Sequence, residues 1–401
     1  MKAQRNSFAL SILLLNLFLT FLGLSLVIPV MPAIMNELHI SGTLVGMMVA
    51  AFSLTQLVAS PLTGRWTDRF GRKIMILTGL SVFGISEILF GIGKNIGVLL
   101  ISRIFGGFSA ACNMPAVNAY IADITDLKER PRAFGYMSAA ISTGFIVGPG
   151  IGGFLAGWGH RIPFFFAAGF AFLACILSIL FLKEPERMRE TNSSPGGKKG
   201  LGKVFSPLYL IPLLVIFIAT FGLASFESLF SLYTDHKFGF DSGDIAIMIT
   251  GGALIGALCQ VGLFDRMTRW WGEISLVRYC LIFSIVLVFG MTVVNSYFSI
   301  MAVTFTVFVG FDLLRPAVTN YLSKIAGDEQ GFVSGMNSMF TSIGNVFGPI
   351  VGGWLFDINL DYPFYFASLV LIVGLLLTVF WKVPQSEKAH LEAFTEPEGG
   401  A

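Results

Sequence analysis

Three acidic residues stand inside long apolar runs: Glu87 in SVFGISEILF, Glu227 in FGLASFESLF and Asp312 in GFDLLRPAV. A charge at membrane depth costs at least ~2.5–3.5 kcal/mol on insertion scales, so each is a candidate for function with a partner to be named. The chemistry such groups offer is the uptake and release of a proton. Asp312 and Arg315 are three apart, on one face of a helix, and are expected to pair directly. Glu227 has no charge within its own run, and a carboxylate without a partner in low-dielectric surroundings favours its neutral form. Glu87 reads in preference as a buried structural acid. Arg103, in LLISRIFGG, has the reach to bond backbone carbonyls or a loop acid and so to tie helices together.

These groups require a membrane around them. Of the 401 residues 55% are hydrophobic and 12% charged; counting Gly and leaving out Tyr takes the apolar share to about 64%. Soluble domains have ~45–50% apolar and ~25% charged residues, which excludes a water-soluble globule. A spanning helix uses about 20 apolar residues, so twelve occupy roughly 240 and leave only short loops. Phe8 to Val30 carries no charge and has no small-residue cleavage site behind it, so it reads as the first span rather than a signal peptide.

Apolar runs predict spans near 8–30, 43–63, 74–93, 97–119, 134–157 and 162–182, then 207–232, 245–264, 275–294, 298–321, 332–356 and 362–381. The expected fold is therefore all-α: a six-helix bundle at 1–183, a polar linker at 184–206, a second six-helix bundle at 207–382 and a tail at 383–401. With the N-terminus in the cytoplasm, 20 Lys and Arg fall on the cytoplasmic side and three outside (Lys94, Arg161, Lys237), so both termini are assigned inside. The halves repeat. GFIVGPGIGGFLAGWGHRIPFFFA at 144–167 aligns without a gap to GNVFGPIVGGWLFDINLDYPFYFA at 344–367, with ten identities in 24. Six helices per half makes this a parallel repeat about an axis along the membrane normal, and two such halves can rock around a midplane site.

The segment after the second run, GRWTDRFGRK, holds Gly64, Asp68, Arg69, Gly71 and Arg72. Its glycines permit a tight turn, Asp68 is placed to cap the next helix or accept from an Arg, and the cations suit an anionic inner leaflet. A weaker counterpart, DRMTRWWG, ends at Gly272. In the fifth span Gly144, Gly148 and Gly152 form a groove at four-residue spacing around Pro149; Gly348 and Pro349, with Gly344 and Gly352, repeat it in the eleventh.

GRWTDRFGRK, the Arg103 run and GFIVGPGIGG resemble the three signature motifs of twelve-helix drug:proton antiporters of the major facilitator superfamily, closest to the multidrug efflux pumps of Gram-positive bacteria. The resemblance implies that superfamily's fold and export of lipophilic, often cationic drugs and dyes. It also implies proton coupling through acids at the positions of Glu227 and Asp312, with Arg103 and Arg315 associated. Phe21, Phe52, Gln56, Ile141, Phe145 and Phe308 resemble the family's drug pocket, and aromatic faces attract cations by about 0.5–2 kcal/mol without demanding a shape. A metabolite or sugar carrier of the same fold is the alternative, but a sugar needs many hydrogen-bonding groups and this pocket offers few.

Other classes find little support. No GxxxxGK[ST] is present, none of His39, His160, His236 and His390 lies in an HExxH, and no GxSxG occurs, so an enzyme is a poor reading and a receptor poorer than a carrier. Cys112, Cys175, Cys259 and Cys280 form no CxxC. No cofactor, metal or nucleic acid is expected; the expected partners are drugs or dyes, protons and the lipid bilayer, with the protein a monomer in the bacterial cell membrane.

Overall fold

Hydrocarbon offers no partner for a peptide N–H or C=O, so an apolar chain of this length satisfies its backbone internally, as helix. The computed structural model describes residues 2–126, 129–185, 207–326 and 330–381, and helices joined by short turns account for all of them. The first half comprises α1 (Lys2–Leu26), a 3-10 turn (Ile28–Val30), α2 (Met31–Glu37), α3 (Gly42–Phe70), α4 (Arg72–Ile92), α5 (Ile96–Ile124), α6 (Arg130–Ala156) and α7 (Ile162–Phe181). The second comprises α8 (Pro207–Phe238), α9 (Ser242–Val293), α10 (Tyr297–Ala326), α11 (Gln330–Ile358) and α12 (Tyr362–Val379). Most of the expected linker, 186–206, and the whole tail, 383–401, lie outside the described residues.

Eleven of the described helices are long and apolar enough to cross a bilayer. The remaining span is inside α9, whose 52 residues would reach ~78 Å as one helix, more than twice the ~30 Å hydrocarbon core. It breaks at Gly272, with φ 73° and ψ 161°, between the two runs expected there. The first half turns at the equivalent place, Gly71, with φ 107° and ψ 156°. Only glycine takes up such angles at little cost.

Two expectations are corrected. The first span continues past Val30 to Glu37, because Pro29 and Pro32 sit at helix starts, where a missing N–H is harmless, and so re-initiate the helix rather than end it. The ten-residue turn expected at 64–73 is mostly helix: α3 runs on to Phe70, Gly64 lies within it, and Gly71 alone reverses the chain. Hydropathy falls at residue 63 but the helix does not stop there. Thr63 donates to the Ala111 carbonyl at 2.6 Å and Thr67 to Thr63 at 2.8 Å, which ties this extension to α5.

Within each half the glycine grooves seat a neighbour. A Cβ at Gly144, Gly148 or Gly152 would strike the backbone or side chains of α1 between Phe18 and Leu26. One at Gly344, Gly348 or Gly352 would strike α8 between Phe217 and Leu229. The glycine grooves therefore close each half upon itself. Contact between halves falls on other small residues: Gly46 against Pro349, Gly353 against Gly42, and Gly153 against Ala246.

The polar bonds between halves cluster at the end of the bundle away from the termini. Asp357, closing α11, accepts from the Gly42 and Thr43 backbone N–H groups at 2.6 and 2.9 Å and from the Thr43 hydroxyl at 2.5 Å. Asn36 donates to Asp235 at 2.8 Å. Among the described residues no hydrogen bond or ion pair joins the halves at the terminal end. The described polar bonds between the halves thus form a latch at one end.

Candidate functional site

The acids of the second half are placed by the aromatic residues beside them. Phe226 is 1% exposed and packs on Phe308, Phe311 and Phe364, at ring separations of 6.0, 6.3 and 5.9 Å. Phe311 lies nearly parallel to it, at 28°. These contacts lock α8 against α10. The next residue on each helix, Glu227 and Asp312, is then carried about 100° round the helix from the aromatic block. Glu227 is exposed, on a helix that also touches α2 and α3 of the other half. Asp312 and Arg315 lie close enough to act on its charge.

Asp312 and Arg315 do not form the direct ion pair that their spacing suggests. The Asp312 carboxylate instead occupies the niche left by the missing side chain of Gly256 in α9, where a Cβ would overlap it. Arg315 is exposed, and its charge reaches both acids without direct contact. One cation thus acts on two carboxyls from a distance. Glu227, with no other charge in its own apolar run, feels that of Arg315 on a different helix.

The residues expected to form the drug pocket divide among three places. Phe21 and Phe145 face each other at 5.2 Å, with Ile141 half-buried on the same helix as Phe145. Phe52 and Gln56 are half-buried on α3, and Phe52 packs its ring against Gly106 and its carbonyl against Gly107 of α5. Phe308 lies in the second half, held by Phe226, Phe230 at 6.4 Å and the surface of Gly252. Sequence reasoning missed Phe226, Phe230 and Gly256, which carry no charge and no motif to mark them.

Arg103 meets neither backbone carbonyls nor a loop acid, as expected of it, but stacks on Phe90 with its guanidinium carbon 4.2 Å from the ring centroid. At the terminal end, Arg72 donates to Asp123 at 2.9 Å, pairs with Asp68 at 3.2 Å and bonds the Thr67 carbonyl at 3.0 Å. Asp68 thus takes the arginine, while the start of α4 is capped by Glu184, which accepts from the backbone N–H of Arg72 at 2.6 Å and Lys73 at 2.9 Å. Arg69 rests on Phe70, 5.5 Å from its ring. Among the described residues no cluster of His, Cys, Asp and Glu suits a metal ion.

Two repeated sets of long apolar helices, with carboxyls midway along two of them, fit a multi-pass membrane transporter. The profile of the Major Facilitator Superfamily matches residues 13–325 and 280–399, and the chain belongs to that family. It is a transporter of a bacterial plasma membrane and not an enzyme. It is 65% identical over 392 residues, 98% of this chain and all of the relative, to multidrug resistance protein 1 of Bacillus subtilis (strain 168). To the quinolone resistance protein NorA of Staphylococcus aureus (strain MRSA252) it is 42% identical, over 92% of this chain and 96% of that protein. In fold it is similar to the nucleoside transporter NupG, with a TM-score of 0.74 at 13% identity over 97% of this chain and all of that one.

Proposed function

We propose that the protein is a multidrug efflux transporter that exchanges lipophilic, often cationic compounds for protons by alternating access. The reading is supported by Glu227 and Asp312, two carboxyls midway along helices of the second half, with the charge of Arg315 acting on both. A deprotonated carboxyl there attracts a cationic drug, and the aromatic walls at Phe21, Phe52, Phe145 and Phe308 hold it without a fixed shape. Protonation removes the attraction, so drug and proton compete for one charge. The positive-inside distribution supports cytoplasmic termini, which makes the Asp357 latch the outer one. Drug enters from inside. Parting of the latch and closure at the terminal end expose it outside, where protonation releases it, and the protonated carrier returns.

The energetics suffice. Moving one charge through 100 mV is worth about 2.3 kcal/mol, and ~1.4 kcal/mol is a tenfold ratio, so one net charge per cycle sustains roughly a fortyfold gradient. The test is ethidium uptake into inverted vesicles with and without a proton gradient. Gradient-driven uptake is expected, with Glu227→Gln and Asp312→Asn each lowering it more than tenfold while the protein remains in the membrane. Uptake unaffected by either change, or indifferent to the gradient, overturns the reading.

A further inference from the structure

Glu87 lies on α4, in the first half, and is 1% exposed. Its Oε2 has no hydrogen-bond partner, and neither has the buried Nη2 of Arg103 on α5. The two charges act on each other, yet they are not in direct ion-pair contact. Elsewhere in the same molecule, structural pairs close fully: Arg72 with Asp123 at 2.9 Å, Arg161 with Glu37 at 3.0 Å and Lys237 with Asp361 at 2.7 Å. An acid and a base held near each other in apolar surroundings, each with an unused atom, form a poor tie but a responsive couple, because gain or loss of one proton decides whether they attract.

The surrounding backbone is held firmly enough to confine such a change to the two side chains. Ser86 donates to the Ser102 carbonyl at 2.7 Å and Ser102 to the Ser86 carbonyl at 2.8 Å, clamping α4 to α5 one residue before each charge. Phe90, under the guanidinium, is itself stacked on Phe164 at 4.7 Å. One turn beyond Arg103, Gly106 and Gly107 bear directly on Phe52 of the drug wall. Among the helices packed on α4, α7 carries no charged residue between Ile162 and Phe181, and the charges of α3 lie at its terminal end, Arg65, Asp68 and Arg69. Beyond them, Arg161 is bonded to Gly91 and Gly93 at the other end of α4.

We propose that Glu87 is a further proton-binding carboxyl, in the first half, with Arg103 as its positioning residue and the Phe52 wall as the surface on which its charge state is felt. The proposal deepens the proton-coupled reading and rests on it for its role in transport, but proton binding itself is measured without transport. The experiment is infrared titration of the purified full-length transporter in lipid nanodiscs, in a Glu227→Gln/Asp312→Asn background. A buried carboxyl stretch is expected to appear and vanish between about pH 5 and pH 9, where buried carboxyls titrate, and to be lost on adding Glu87→Gln. Should that variant not fold, Glu87→Asp must move the band. Arg103→Lys should keep the titration, whereas Arg103→Met should shift its midpoint by about one pH unit or more.

In the otherwise wild-type protein, Glu87→Gln should change the shape of the pH profile of ethidium efflux; a merely structural acid would scale efflux equally at all pH values. A stretch constant across the pH range, or unaffected by Glu87→Gln, overturns the proposal even where efflux remains gradient-driven. A titrating Glu87 with efflux indifferent to the gradient would instead overturn the antiport reading alone.

Discussion

The turns after the second helix of each half occupy matching positions 201 residues apart, and their charges are inverted. Asp68, Arg72 and Asp123 in the first half correspond to Arg269, Glu273 and Lys324 in the second. Arg72 is bonded to Asp123; Glu273 is bonded to Lys324 and, at 2.8 Å, to Asn320. What recurs is a link between the start of one helix and the end of the next, not a particular sign. The two links also differ in exposure. Arg72 and Asp123 are 11% and 12% exposed, whereas Glu273 is 2% exposed and Lys324 55%. Losing one charge should therefore be nearly symmetric in its cost in the first half and strongly asymmetric in the second.

The largest effect is expected from Arg72→Glu, which sets an acid among Asp68, Asp123 and Glu184. Breaking a largely buried pair costs about 3–5 kcal/mol, so thermal unfolding in detergent should fall sharply and ethidium efflux should be lost. Adding Asp68→Arg and Asp123→Lys copies the second half's arrangement and should recover much of both; no recovery would show that sign matters after all. Next comes Lys324→Met, which takes the ammonium away from the buried Glu273 carboxylate, at about 1–3 kcal/mol. Glu273→Gln leaves only a half-exposed ammonium and should cost less in the same melting assay. Equal losses would dissolve the asymmetry.

The smallest effect concerns the two interfaces between halves. Asp357 latches α3 to α11, while its counterpart in the repeat is Gly157, and the α6 to α9 contact rests on Gly153 and Ala246. Asp357→Asn keeps the shape but weakens a charge-assisted bond to a helix start by about 1 kcal/mol. Spin-label distances across that end should show the parted state enriched about fivefold, whereas Gly157→Ala should leave the distribution unchanged.

Much of this was legible in the sequence, and the exceptions share a cause. Spans follow from apolar runs because lipid leaves the backbone no alternative, and Glu227 and Asp312 are conspicuous because charge is costly where they lie. Their convergence was not legible, since it depends on Phe226 meeting Phe311, two residues among 40 phenylalanines. The glycine spacing was visible but not which helix fills it. Gly64 looked like a turn because glycine and charge mark loops in water, whereas here α3 outlasts its apolar stretch. Arg103 on Phe90 is a ring contact, and no spacing rule announces one.

The reversals at Gly71 and Gly272 leave no slack, each being a single residue between two long rods. A peptide tag, reporter or protease site spliced into either would have to unwind a turn on both sides. Handles for following the transporter in living cells should be placed well away from these two corners.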